Sequence, residues 1–113
     1  TEFATAVITN NIITENGWRK EWVCPQVGLW MNAPSSRFQF TYNDVWNNVS
    51  GDYKDIGSLT GINGNISENP EFKSKFDFTL EPGSELFHSG NPIITNLDGS
   101  RSHLGIEGGQ GVK

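Results

Sequence analysis

The sequence predicts an all-β, turn-rich chain, and three observations carry that prediction. Apolar residues recur two apart, at Phe38, Phe40 and Tyr42 and again at Phe76, Phe78 and Leu80, which is the side-chain period of a strand. Turn signals punctuate these stretches at Pro82-Gly83-Ser84, Ser89-Gly90-Asn91-Pro92 and Asp98-Gly99-Ser100, so closely that no helix of useful length fits between them. The third observation is composition. Of 113 residues 35% are hydrophobic, 12% are aromatic and 13 are glycine. That balance is too poor in Leu and Ala for a helical bundle and too rich in aromatics for a disordered chain.

The same totals exclude some functions. A net charge of −5, with eight scattered Lys and Arg, does not suit a nucleic-acid partner, because neutralising phosphates needs clustered cations. No apolar run approaches the length of a membrane span. The single cysteine, Cys24, allows no intrachain disulfide and reads as a small buried apolar side chain. Asn48-Val49-Ser50 and Asn65-Ile66-Ser67 are formal glycosylation sequons.

Taken in order, Ala4 to Ile13 is β-branched and apolar apart from Thr9, Asn10 and Asn11, and it reads as two strands joined by a polar bend. Thr14 to Gln26 breaks the pattern at Asn16-Gly17 and is expected to be an excursion carrying Trp18 and Trp22. Val27 to Met31 resumes a strand, and Asn32 to Ser36 turns it. Arg37 to Tyr42 alternates cleanly, with Phe38, Phe40 and Tyr42 on one face and Arg37, Gln39 and Thr41 on the other. Val49 to Gly64 reads as a polar loop ending in glycine-rich turns. Asn43-Asp44-Val45-Trp46 echoes Asn10-Asn11-Ile12-Ile13 at a spacing of 33 residues, the size of one unit in a repeat architecture.

From Tyr42 onward the resemblance becomes specific. Tyr42-Asn43-Asp44-Val45-Trp46-Asn47-Asn48 is followed by Asn65-Ile66-Ser67, Pro70, Phe72, Phe78-Thr79-Leu80, Gly83-Ser84, Gly90-Asn91-Pro92, Asp98-Gly99-Ser100-Arg101, Gly105 and Gly108-Gly109. This order resembles the C-terminal end of right-handed parallel β-helix proteins of the pectate-lyase-like superfamily. The resemblance implies a solenoid of a few rungs in one domain, with rungs over 1–62, the excursion at 14–26, and a closing segment over 63–113. Asn11, Asn43 and Asn65 are then structural residues whose amides stack from rung to rung across a strand spacing of about 4.8 Å. Asp98 makes the final turn, and Arg101 is expected to bond free carbonyls there or to pair with Glu107. His88 and His103 stand where members of the superfamily often carry acids, and they read as surface or capping residues.

Such an end of a solenoid is expected to act as a structural, glycan-contacting segment of a secreted or cell-surface protein. Its open N-terminal edge is expected to pair with another β-helix chain, with filaments as one outcome. The partner is then a polysaccharide or another such chain, and the glycan surface would be Trp18, Trp22 and Trp30. One alternative is the terminal part of a polysaccharide lyase or glycoside hydrolase with its catalytic rungs upstream. There the resemblance implies Ca²⁺ held by Asp44, Asp52 and Asp55, with Arg37 as the base. Another is a small carbohydrate-binding β-sandwich. The chain holds no self-contained catalytic constellation.

Overall fold

A computed structural model describes residues 5–17, 26–31 and 38–109. Trp18, Trp22, Cys24 and Arg37 lie outside the described residues. The fold is all-β, with eight short strands and one 3-10 turn at Gly105–Glu107 among the described residues. The chain makes a first pass through β1 (Ala6–Thr9), β2 (Ile12–Thr14) and β3 (Leu29–Trp30), then a second through β4 (Phe38–Thr41), β5 (Asp44–Trp46) and β6 (Tyr53–Lys54). Each strand of the second pass pairs in parallel with its counterpart in the first, giving three two-stranded sheets, β1–β4, β2–β5 and β3–β6. A third pass begins at Ile66, which bridges Asp44 in parallel. No helix among the described residues is long and apolar enough to cross a membrane.

The register differs by one residue from the echo read in the sequence. Asn43 pairs with Asn11 rather than Asn10, at a separation of 32 residues. The reason lies in the backbone. Asn10 and Tyr42 occupy equivalent bends, both with positive φ (63° and 54°), and each is followed by an asparagine, Asn11 and Asn43. A left-handed residue is needed to turn the chain from one sheet into the next, and asparagine adopts that conformation more readily than most.

At each bend an asparagine amide serves the turn above it. Asn43 Oδ1 accepts the Asn11 backbone N–H (3.0 Å) and Asn11 Nδ2 (3.1 Å). Asn65 Oδ1 accepts the Asn43 N–H in the same way (3.0 Å). Asn43 Nδ2 donates to the Ile8 and Thr41 carbonyls, and Asn65 Nδ2 to those of Phe40 and Ile62. A second column repeats the pattern at the next bend. Asn16 donates through its N–H (3.1 Å) and Nδ2 (2.7 Å) to Asn48 Oδ1, and Asn48 Nδ2 donates to Asp52 Oδ1 (2.8 Å). Asn43, Asn48 and Asn65 are all buried, so the two sequons are spent inside the fold.

Between the sheets, Phe40 and Val45 are buried, and Phe40 meets the Tyr53 ring edge to face at 6.4 Å. Beyond Ile66 the chain leaves the stack. β7 (Phe72–Ser74) and β8 (Asp77–Leu80) form an antiparallel hairpin, a departure from the parallel pairing of the rest. Phe76 falls in its turn and is 86% exposed, so the spacing of two that ran from Phe76 to Leu80 overstated the strand. Leu80, Leu86 and Leu104 make a buried cluster on which Ile12, Ile66, Phe72 and Phe87 pack, joining the closing segment to the flank of the stack. Gly105 comes so close there that a Cβ on it would stand 2.6 Å from Ile12 Cδ1.

Asn43→Ala removes a buried amide that serves four partners and leaves the Ile8 carbonyl without its donor. A loss of roughly 1–3 kcal/mol is expected. Chemical denaturation measures it, and a midpoint equal to the parent's would remove the amide column as a source of stability.

Candidate functional site

Of the three tryptophans expected to meet glycans, Trp30 is the one within the described residues. It lies on β3 opposite Lys54, and its side chain is 50% exposed. Asp55 turns back with φ 58°, and its Oδ2 accepts the indole Nε1–H at 2.7 Å. The ammonium of Lys54 sits 5.7 Å from the Trp30 ring centroid and 3.8 Å from Asp55 Oδ1. The strand pairing therefore sets a flat aromatic surface beside one cation, and the acid at the end of β6 fixes the ring's orientation. Such a pinned ring offers an apolar face without losing rotamer freedom on binding.

The three acids proposed as a calcium cage do not converge. Asp55 is committed to Trp30 and Lys54. Asp52 ends the second amide column, accepting Asn48 Nδ2 and, at 3.4 Å, the Ser67 hydroxyl. Asp44 lies under the closing segment. Among the described residues no group of three or more His, Cys, Asp and Glu gathers to hold a metal ion.

Asp44 is nevertheless the least expected side chain in the fold. It shares a strand face with Ile12 and Ile66, its neighbours above and below, and it is fully buried. Oδ1 accepts the Glu68 N–H at 2.8 Å, while Oδ2 has no hydrogen-bond partner among the described residues. Burial pushes its pKa from 3.8 up to about 7; the Glu68 N–H opposes that, and the charges of Glu68 and Asp52 add to it. The carboxyl is thus held partly protonated near neutrality in an apolar stack.

The histidines tie the closing segment together. His103 Nδ1 accepts the His88 N–H at 2.9 Å, which leaves the ring proton on Nε2. His88 Nδ1 faces the Arg101 carbonyl at 2.9 Å and must donate to it. Burial, and then the neighbouring His88, lower the His103 pKa below 6.5. Asp98 accepts the Ser100 N–H (2.9 Å) and hydroxyl (2.6 Å), fixing the last turn. Arg101 Nε donates to the Gly90 carbonyl at 2.6 Å, and its guanidinium lies 5.6 Å from the Tyr42 ring centroid. Glu107, the other partner expected for Arg101, instead accepts the Leu80 N–H.

Sequence reading missed Asn10, which joins the stack to the closing segment. Its N–H donates to the Tyr42 carbonyl and its Nδ2 to the Ser102 hydroxyl, and its carbonyl and Oδ1 accept the Gly105 and Asn91 N–H groups. The edge of the first pass is therefore covered at that corner. Away from it, β1, β2 and β3 each pair on one side only among the described residues. Asn11 Oδ1 and Asn16 Oδ1, heads of the two columns, have no donor among the described residues. The far end of the first column is closed, since the Asn65 N–H donates to the Ile62 carbonyl.

The raised pKa of Asp44 gives a signed expectation. A group whose folded pKa exceeds its unfolded value contributes stability that is full below the lower value, about 3.8, and lost as pH rises through about 7. Asp44→Asn removes this slope. Denaturation midpoints should favour the variant at pH 8, on the order of 1–3 kcal/mol, and converge with the parent toward pH 4; parallel profiles would show that Asp44 does not titrate in this range. Comparison with protein-family models, with curated proteins and with solved structures found no match.

Proposed function

We propose that the chain is a segment of a right-handed parallel β-helix, serving as a structural, glycan-contacting part of a secreted or cell-surface protein and associating through the edge of its first pass. The observation that carries this reading is the pair of asparagine columns. Both run in one direction, the first closed at the third pass and the second spent on Asp52, and they begin on acceptors, Asn11 Oδ1 and Asn16 Oδ1, that have no donor among the described residues. A further pass would bring an N–H and an amide to each of them, as Asn11 does for Asn43. Strands with one free side are also the usual template for adding another strand.

The occupant of that edge is taken to be a second chain of the same kind, placed clear of the corner that Gly105 covers. Sedimentation over a wide concentration range should show reversible association. Val7→Lys, which sets a charge on the exposed β1 edge, should abolish it without changing the fold. A strictly monomeric parent would count decisively against association, though not against the architecture.

Glycan contact is the part of the reading that Trp30 supports. Pyranose C–H faces pack on an exposed ring as other apolar groups do, and Asp55 and Lys54 stand beside it for hydroxyls. Trp30→Ala should weaken binding of a soluble oligosaccharide up to about tenfold in calorimetry. Equal affinity in parent and variant would take Trp30 out of the contact surface.

A further inference from the structure

A cleft of about 500 Å³ opens on the flank of the first pass, between β2 and the closing segment. One wall is polar, with Asn10, Asn11 and Thr14; the other is apolar, with Phe72, Phe78 and Ile106. Phe78 is 54% exposed and stands edge to face with Phe72 at 5.2 Å, and Ile106 is 62% exposed. A volume of this size suits a small ligand of one to three rings.

The chemistry of the polar wall restricts what can enter. Its side-chain donors are turned inward: Asn10 Nδ2 to the Ser102 hydroxyl, both Asn11 Nδ2 bonds to the Thr9 carbonyl and Asn43, and the Thr14 hydroxyl to the Trp46 carbonyl. What remains on Asn11 Oδ1 and Thr14 Oγ1 is acceptor capacity. A ligand must therefore bring donors. Among the described residues no charged side chain lines the cleft, so none of them neutralises a carboxylate or phosphate there and none holds an ammonium group. Opposite the acceptors, the exposed Phe78 ring asks for a flat apolar face.

We infer that this cleft is a binding site for a neutral oligosaccharide, with sugar hydroxyls donating to Thr14 and, in a chain whose edge carries no second chain, to Asn11, and a pyranose C–H face lying on Phe78. The site discriminates against uronates, whose carboxylates would meet acceptors alone. It is separate from the Trp30 surface.

Amide chemical-shift titration of the full chain with cellotriose, xylotriose and trigalacturonate tests it. The neutral sugars should shift the amides of Asn11, Thr14 and Ile106, and trigalacturonate should not. Phe78→Ala should weaken the neutral titration roughly tenfold and Phe78→Trp should retain it, the second variant guarding against a hairpin disturbed by the loss of the ring. Trp30→Ala should leave the cleft shifts unchanged, so the two sites fail separately. Absence of cleft shifts with either neutral sugar, equal response to trigalacturonate, or indifference to Phe78→Ala with the fold intact would each overturn the inference.

Discussion

One interaction supports the rest of this structure: an asparagine carbonyl oxygen receiving the backbone N–H of the turn above. The chain bends sharply between its short sheets, and a bend takes backbone groups out of the ladder. The left-handed residues at Asn10 and Tyr42 aim the following N–H along the stacking direction, and the next amide meets it. Asparagine has the reach for one strand spacing and carries both a donor and an acceptor, so each amide can accept from one turn and donate to a carbonyl of the preceding pass and to one of its own. Strands of two to four residues could not hold register alone. The columns fix it at two corners between the first and second passes and at one corner between the second and third.

Asp44 shows what happens when a stacked position is polar but unserved. Two residues after each column asparagine the chain faces inward again, as Val45 does; the residue between faces the closing segment. At Ile12 and Ile66 that position is apolar and packs on the leucine cluster. At Asp44 the same position carries a carboxyl with one bond and, among the described residues, one orphan oxygen, and burial raises its pKa to about 7, toward the neutral form. Neutral, it costs much less than a buried charge. The contrast with Asn43, one residue earlier and satisfied on every side, separates a polar group that specifies the fold from one that strains it.

Much of the architecture was legible because it depends on local patterns. Phe38 and Phe40 alternate as a strand should, and the bend between β1 and β2 was visible in Asn10-Asn11. The register was harder. Matching Asn10 with Asn43 is natural by residue type, yet the structural equivalence is a left-handed residue followed by asparagine, and at the second bend the left-handed residue is Tyr42, which advertises nothing. The same rule would have found the second column in Glu15-Asn16, Asn47-Asn48 and Gly51-Asp52. Phe76 misled because a spacing of two cannot distinguish a strand from the turn of a hairpin. The acids misled for another reason: closeness along the chain says nothing about convergence once Asp55 turns toward Trp30 and Asp44 turns under the leucines.

The surfaces assigned to binding and to association differ in how they are held. Trp30 is fixed within the stack by the β3–β6 pair and Asp55, whereas the cleft exists only while the closing segment stays against β2. That contact is concentrated at Asn10, whose backbone and amide together make four hydrogen bonds, three of them to residues 91–105. The same residue blocks one corner of the free edge. Any event that loosens the closing segment therefore acts on two surfaces in opposite senses: it opens more of the edge to a second chain and dissolves the wall that carries Phe78 and Ile106. A ligand seated in the cleft bridges β2 and the closing segment, so by linkage it must stabilise the covered corner and disfavour a partner that needs it.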